Sequence, residues 1–284
     1  TEGRHRDGYD RGGLDTIPNM GIAKNVICVG SIDDVDPQEP EFNMTDYSSW
    51  GPADDGRIKP DLVANGNVLT SASSVDDQSY VDNSGTSMAA PTVAGIASLL
   101  VQLFNDTKGR LPSSAEIKAV MIHTARDAGR PGPDAEYGWG SVDALRAGHA
   151  IASANGEKII EGKASQGQVI ETTYEGGGRP VRATLVWADP PGEPNTGGLD
   201  DDTPALQNDL DLLLVAPDGR EYHPYSLDPA NPVAPATANG ANRVGNVEVV
   251  DAPEMDGTWT VRVTGHELKS GVAQSYALVV SGLR

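Results

Sequence analysis

The stretch NSGTSMAAPTVAGIASLL, Asn83 to Leu100, decides how the chain is read. From Thr86 onward the apolar or small residues include Ala89, Ala90, Val93, Ala94, Gly95, Ile96, Ala97, Leu99 and Leu100. A run without a polar face reads as a buried helix, and its Ala and Gly let neighbouring elements approach closely. Ser87 then falls on the first turn, where amide N–H groups lack intrahelical acceptors and the positive end of the helix dipole points outward. A serine in this place reads either as an ordinary helix cap or as a nucleophile. In the second reading, an oxyanion formed beside it meets backbone donors directly. Pro91 lacks an N–H, and so early in the helix it forfeits at most one hydrogen bond.

Around that helix the first half of the chain alternates strands and helices. Asn25 to Gly30 reads as a strand, Val63 to Ser71 as strand and turn, Thr86 to Phe104 as a long helix, and Ser113 to Thr124 as another. Pro112 precedes the second helix, and Glu116 follows Ser113 by three residues in a capping-box pattern. The alternation predicts an α/β fold, a mostly parallel sheet covered by helices. Near Asn155-Gly156 the character changes to short alternating strands separated by Gly, Pro and Asp turns: QVIETTY, RATLVWAD, DLDLLLVA, NVEVVD, TWTVRVTG and SYALVVSG. Evenly spaced strands of this kind predict an all-β sandwich. The expected division is an α/β part over residues 1–154 and a β-sandwich over 155–284.

The 284 residues suffice for two domains and a sizeable core. A formal net charge of −20 argues against nucleic acid as a partner, because phosphate binding needs basic surface; an acidic surface favours cations. No run reads as a membrane-spanning helix, and no charged-then-apolar leader opens the sequence. Cys28 is the single cysteine, which excludes an internal disulfide and a thiolate metal cluster; within NVICVG it reads as a buried structural thiol.

The string GTSMAAPTVAG, Gly85 to Gly95, resembles the serine motif of the subtilisin-like serine proteases, the subtilases. AKNVICVGSID is similar to the family's strand leading away from the substrate pocket, and SSWGPADDGRIKPDLVANG to its S-S-x-G-P…KPD segment, with Asn65 where proline is usual. YGWGSVDALRA, Tyr137 to Ala147, resembles the family's closing motif. The resemblance implies that Ser87 is a nucleophile, with Thr86 supporting an oxyanion held by the Ser87 amide. In this family the partners come in the order Asp, His, Ser, so both lie upstream of the serine. The Asp-(S/T)-Gly and His-Gly-Thr strings that would carry them are not in these residues, and His5, the single histidine before Ser87, stands in GRHRDG. His123 and His149 on helices, and His223 and His266 in the sandwich, read as surface or capping residues. Thr1-Glu2-Gly3 resembles the continuation of the family's oxyanion asparagine segment, with Thr1 on the asparagine position and Glu2 at a position lining the specificity pocket.

In NDLDLLLV, Asp209 and Asp211 share one strand face while Leu210, Leu212 and Leu214 share the other. Two carboxylates beside Asn208 and the acidic Asp200-Asp201-Asp202 loop suit either a calcium ion or a solvated face. TLVWADPPG, LQNDLDLLLVAPDGREYH and the long segment from Asn242 to Gly282 resemble the jelly-roll domain attached to one group of bacterial subtilases. That resemblance implies structural calcium, with Asp209 and Asp211 as foremost ligands and Asn208, Asp189, Asn246 and Glu248 behind them. The expected function is therefore secreted subtilisin-type endopeptidase chemistry on a polypeptide substrate, completed by an upstream segment that carries Asp and His. The alternative is a non-catalytic piece whose sandwich is a calcium-stabilised binding module.

Overall fold

The computed structural model describes residues 12–34, 41–153, 158–194, 198 and 201–284. The expected joint at 154/155 and the segment from Thr1 to Arg11 lie outside them. In the first part, β1 (Val29–Ile32) pairs in parallel with β2 (Leu62–Asn65), and Val63 continues in parallel to Ser141. An antiparallel hairpin of β3 (Leu69–Ala72) and β4 (Tyr80–Asn83) then leads into helix α1 (Thr86–Lys108). Helices α2 (Ser114–Thr124) and α3 (Ala144–Ala152) follow. The first strand thus begins four residues later than the Asn25 start the sequence suggested. Residues 24–26 instead send side chains and carbonyls to the sandwich and to α2, as shown below.

The second part is two four-stranded antiparallel sheets. In chain order its strands are β5 (Lys158–Ala164), β6 (Val169–Glu175), β7 (Val181–Trp187), β8 (Asn208–Val215), β9 (Glu221–Tyr222), β10 (Val247–Ala252), β11 (Thr258–Leu268) and β12 (Gln274–Ser281). The first sheet has the order β10-β7-β12-β5, and the second runs β6-β11-β8-β9. Their facing side chains form one core. Leu185, Trp187, Leu278 and Val280 meet Leu210, Leu212, Trp259 and Val261 across the gap. Period-two alternation explains the choice of face: Leu210, Leu212 and Leu214 are buried there, and Asp209 and Asp211 leave on the other side.

The first sheet is apolar on both faces. Its outer side, through Val186, Val249, Ala277 and Val279, shares a second core with α1 and α2, including Val93, Leu100, Phe104, Ile117, Val120 and Met121. Helix α2 lies between the α/β part and this sheet, and every residue from Glu116 to Thr124 is buried. Its N-terminus carries the predicted capping box: Ser113 Oγ accepts from Glu116 N at 3.2 Å, and Glu116 Oε2 accepts from Ser113 N at 2.8 Å. The helix buried on every side is therefore α2, and it buries polar as well as apolar residues. Helix α1 departs from the expectation: Thr86, Ala89, Val93, Leu100 and Phe104 are buried, while Ala90, Ala94, Gly95 and Leu99 are exposed. It is also, by length and composition, a described helix apolar enough to cross a membrane, a feature its small residues hid in the sequence.

Polar contacts lock the two parts together. Lys24 Nζ donates to Asp189 Oδ2, and the Asp189 side chain is fully buried. The same carboxylate accepts from Gln207 N at 3.0 Å and Asn208 N at 2.7 Å. Asn25 exchanges hydrogen bonds with the Asp189 backbone, at 2.9 and 3.0 Å, and its Oδ1 also accepts from Asn246 Nδ2 at 3.1 Å. Removing one partner of a buried pair strands the other charge, at about 3–5 kcal/mol. We therefore expect calorimetry to show one cooperative transition for both parts, and Asp189→Leu to lower stability by about that amount. Two separated transitions, or release by limited proteolysis of a resistant fragment starting near Lys158, would contradict the shared core.

Candidate active site

Ser87 is the second residue of α1 and is exposed. Gly85 precedes the helix at φ 149, where it supplies no side-chain cap. Its carbonyl accepts from Met88 N at 2.9 Å, and its N–H donates to Gly66 O at 2.7 Å. The helix start is thus set by backbone contacts to the end of β2, and the first-turn amides stay free of a side-chain cap. The Gly66–Gly85 approach tolerates no side chain: a Cβ on Gly66 would lie 2.3 Å from Ser31 Oγ and 2.7 Å from Gly85 O. Further along α1, the missing N–H of Pro91 leaves the carbonyl of Ser87 without its intrahelical donor, and the helix continues unbroken.

The β3–β4 hairpin leads directly into the helix that carries Ser87. Val68 stands at φ 51, a left-handed conformation costly for a β-branched residue, and its N–H donates to Ser84 Oγ at 2.8 Å. Ser84 Oγ in turn donates to Asn67 Oδ1 at 2.9 Å, and Asn67 Nδ2 to Asp33 Oδ1 at 2.9 Å. These bonds hold the segments before and after the hairpin in register immediately ahead of the nucleophile candidate. Tyr80 and Val81 are exposed on it.

Thr86, the neighbour expected to support an oxyanion, is buried. Thr1, Glu2 and His5 lie outside the described residues. Among the described residues the Ser87 hydroxyl has no hydrogen-bond partner. His123 is not the surface residue its position suggested: it is buried, and its Nδ1 lies 3.0 Å from Thr184 Oγ1 on β7. Burial, aided by the nearby Arg182 charge, pushes its pKa down to about 3, so it stays neutral. His266 is exposed, with Nδ1 3.7 Å from Asp211 Oδ2.

The six candidate metal ligands separate into two groups. Asp189 is committed to Lys24 and two amides as described. Asn208 Nδ2 donates to Ser270 Oγ and Gln274 Oε1, at 2.9 and 2.8 Å, and Asn246 Nδ2 to Trp187 O at 2.6 Å. These three hold loops and strands. Asp209, Asp211 and Glu248 instead gather at the part of β8 that β9 does not cover. Arg243 Nη1 bridges Asp209 Oδ2 at 2.7 Å and Asp211 Oδ1 at 2.5 Å, and Glu248 Oε2 accepts from Leu212 N at 2.6 Å. Asp209 Oδ1 and Glu248 Oε1 are buried with no hydrogen-bond partner. Burial raises both carboxyls above their ordinary values, Glu248 strongly, and Arg243 only partly offsets this. Among the described residues no three His, Cys, Asp or Glu side chains stand in ready metal-binding geometry. The donor chemistry of Asp209, Asp211 and Glu248 suits a hard cation, and the guanidinium now supplies the positive charge.

A second charged cluster went unseen in the sequence. Asp61, buried below α2, accepts from Lys59 Nζ at 2.5 Å, Lys118 Nζ at 2.7 Å and the Cys28 N–H at 2.8 Å. Burial works to raise this carboxyl, and the two ammoniums overcome it and hold it below its usual range. Burial also pushes the Cys28 thiol up to about 11; the residue is half-buried and stands just before β1 rather than within a strand. Lys118 Nζ further donates to Lys24 O and Val26 O, at 3.2 and 2.9 Å, so the cluster braces α2 against the segment that reaches Asp189.

Residues 5–140 match the subtilase family. The chain is 36% identical over 142 residues to the subtilisin-like protease SBT6.1 of Arabidopsis thaliana, covering 49% of this chain and 13% of that protein. It is 32% identical over 144 residues to the serine protease AprX of Bacillus subtilis, covering 45% of this chain and 31% of that protein. The serine protease/ABC transporter B family protein tagA of Dictyostelium discoideum is 26% identical over 280 residues, covering 84% of this chain and 15% of that protein. The chain therefore spans less than a third of the length of each of these relatives.

The burial of His123 has a measurable consequence. Its folded-state pKa, about 3, lies below its ordinary 6.5. Between those values the unfolded chain binds a proton that the folded chain refuses, so stability is lost as pH falls through the window. His123→Leu should flatten the fall of melting temperature from pH 6.5 to 4 by up to about one proton's worth of slope. An acid limb parallel to that of the unsubstituted chain would contradict this assignment.

Proposed function

We propose that this chain is the serine-bearing part of a subtilisin-type serine endopeptidase, with Ser87 as the nucleophile. The observation that carries the reading is the exposed Ser87 on the first turn of a helix begun by a Gly85–Gly66 backbone contact, inside a segment that matches the subtilase family. Ser87 Oγ attacks the scissile peptide carbonyl, and an upstream histidine, oriented by an upstream aspartate, takes the hydroxyl proton and later returns it to the leaving amine. The tetrahedral oxyanion is met by the Ser87 amide, at the positive end of α1. Thr86 supports that end from its buried position, and Thr1 and Glu2 belong to the remaining oxyanion and specificity-pocket segment. The substrate is an extended polypeptide, and the setting is extracellular.

The two sheets are read as a jelly-roll domain of the type attached to bacterial subtilases, and calcium as its structural ion. Asp209, Asp211 and Glu248 would hold the ion, which would supply charge compensation to their buried oxygens. The partnerless Asp209 Oδ1 and Glu248 Oε1 favour this. Asn208, Asp189 and Asn246 serve the same region by holding its strands. A non-catalytic role as a calcium-stabilised binding module is the second reading, favoured by the absence of any base bonded to Ser87 among the described residues.

Two experiments test these proposals. A fluorophosphonate probe should label Ser87 when the upstream segment with its Asp and His is present, and leave these 284 residues alone essentially unlabelled. Absence of labelling in the longer polypeptide would leave the binding-module reading. For the ion, added calcium should raise the melting temperature, and Arg243→Ala should enlarge that rise by removing the competing cation. A melting temperature indifferent to calcium and chelator in both proteins would reject the site.

A further inference from the structure

One carbonyl accepts two hydrogen bonds close to the start of α1. Gly66 O accepts the Gly85 N–H at 2.7 Å, and Gly85 begins the helix two residues before Ser87. The same oxygen accepts a second hydrogen bond, from Tyr47 Oη at 2.9 Å. Gly85 supplies no side-chain cap, and this shared acceptor is a point at which the start of α1 is tied to the end of β2. Its plane sets where the first-turn amides face.

Tyr47 is itself delivered by a braced segment. Thr45 Oγ1 donates to Ser31 O at 3.1 Å, the Thr45 N–H donates to the same carbonyl at 3.0 Å, and the Ser31 N–H donates to Ser48 Oγ at 3.0 Å. Residues 45–48 are thereby fastened along β1. Gly66 is held from behind as well, its N–H donating to Ile32 O at 3.1 Å. The amide of Gly66 is fixed through β1, and its carbonyl is held by a hydroxyl from the segment riding on β1.

We infer that Tyr47 is a positioning residue for the nucleophile, acting through the Gly66 carbonyl on the Gly85 amide and so on the Ser87 amide and hydroxyl. This rests on the reading of Ser87 as nucleophile. The phenol is half-buried and bonds a neutral carbonyl, so its contribution is geometric. Loss of its hydroxyl leaves Gly66 O with one donor and frees the peptide plane to rock. A rocking carbonyl carries Gly85 with it, because Gly66, having no Cβ, offers no steric wall of its own. Misaligned oxyanion donors cost far more in the transition state than in substrate binding, so the effect should fall on turnover.

The test compares Tyr47→Phe with the unsubstituted protein in the longer polypeptide that carries the upstream segment. Active sites are titrated with a fluorophosphonate, so that only folded, competent molecules are counted. The expected result is a fall in kcat of about tenfold with KM changed less than about twofold. In the 284-residue chain alone, amide exchange at Gly85 and Thr86 should quicken while the amides of α2 keep their protection. An unchanged kcat per titrated site overturns the inference. So does a fall in kcat matched by an equal rise in KM, or a quickening of exchange shared by α2, each of which marks a merely structural role. If the unsubstituted longer protein neither reacts with the probe nor cleaves peptide, it is the reading of Ser87 that fails; the exchange measurement then still decides whether Tyr47 holds the helix start.

Discussion

The Asp189 carboxylate is the contact on which the two parts of the molecule depend. It is fully buried and receives an ammonium from residue 24 and two amides from the start of β8. A buried carboxylate without such donors would be expelled or protonated. With them, it fixes three things at once: the end of β7, the beginning of β8, and the segment 24–26 of the α/β part. That last segment also offers its carbonyls to Lys118 on α2, whose ammonium meets Asp61. A chain of full and partial charges therefore runs from the sandwich through residues 24–26 into the helix that both parts bury. Apolar burial provides the bulk of the cohesion. The charged contacts set the register in which it occurs.

The arrangement explains why α2 has no solvent-facing polar side, its Glu116, Lys118 and His123 being buried with the rest. A surface helix needs such a side, and a helix covered by a sheet on its far side does not. The sandwich is thus part of the wall around the α/β core rather than an appendage on a tether. The head of α1 is held by glycines. Gly66 and Gly85 approach so closely that a side chain on Gly66 is excluded, and the nucleophile candidate stands just beyond the contact. Gly85 supplies no side-chain cap, and backbone contacts begin the helix in its place.

What could be read from the sequence was local. The Ser113/Glu116 capping box was legible because its partners lie three residues apart, and the facing of Asp209 and Asp211 because strands alternate with period two. The serine motif was legible as a contiguous string. What escaped was set at a distance. Arg243 reaches Asp211 across 32 positions, and nothing in NRVGN announces that its guanidinium lies between two carboxylates. His123 is buried by β7, whose Thr184 stands 61 positions away. Glu248 alternates with valines, which marks a strand but does not say that its carboxyl is buried beside β8. The Lys59–Asp61–Lys118 cluster has the same character: its residues are ordinary in sequence and become a unit only when α2 is laid over the loop before β2.

The half-open α1 helix has a consequence for the chain as a colloid. Its exposed arc, running from Ala90 and Ala94 round to Leu99, would attract a second such surface. The surface around it belongs to a molecule of net charge −20, and two such polyanions repel. The range of that repulsion is the Debye length, about 10 Å at 0.1 M salt and about 3 Å at 1 M. Dilute electrolyte keeps these apolar surfaces out of reach of one another. Concentrated electrolyte collapses the ionic cushion and, with kosmotropic salts, strengthens apolar association at the same time, so the two effects of salt on this molecule act in one direction.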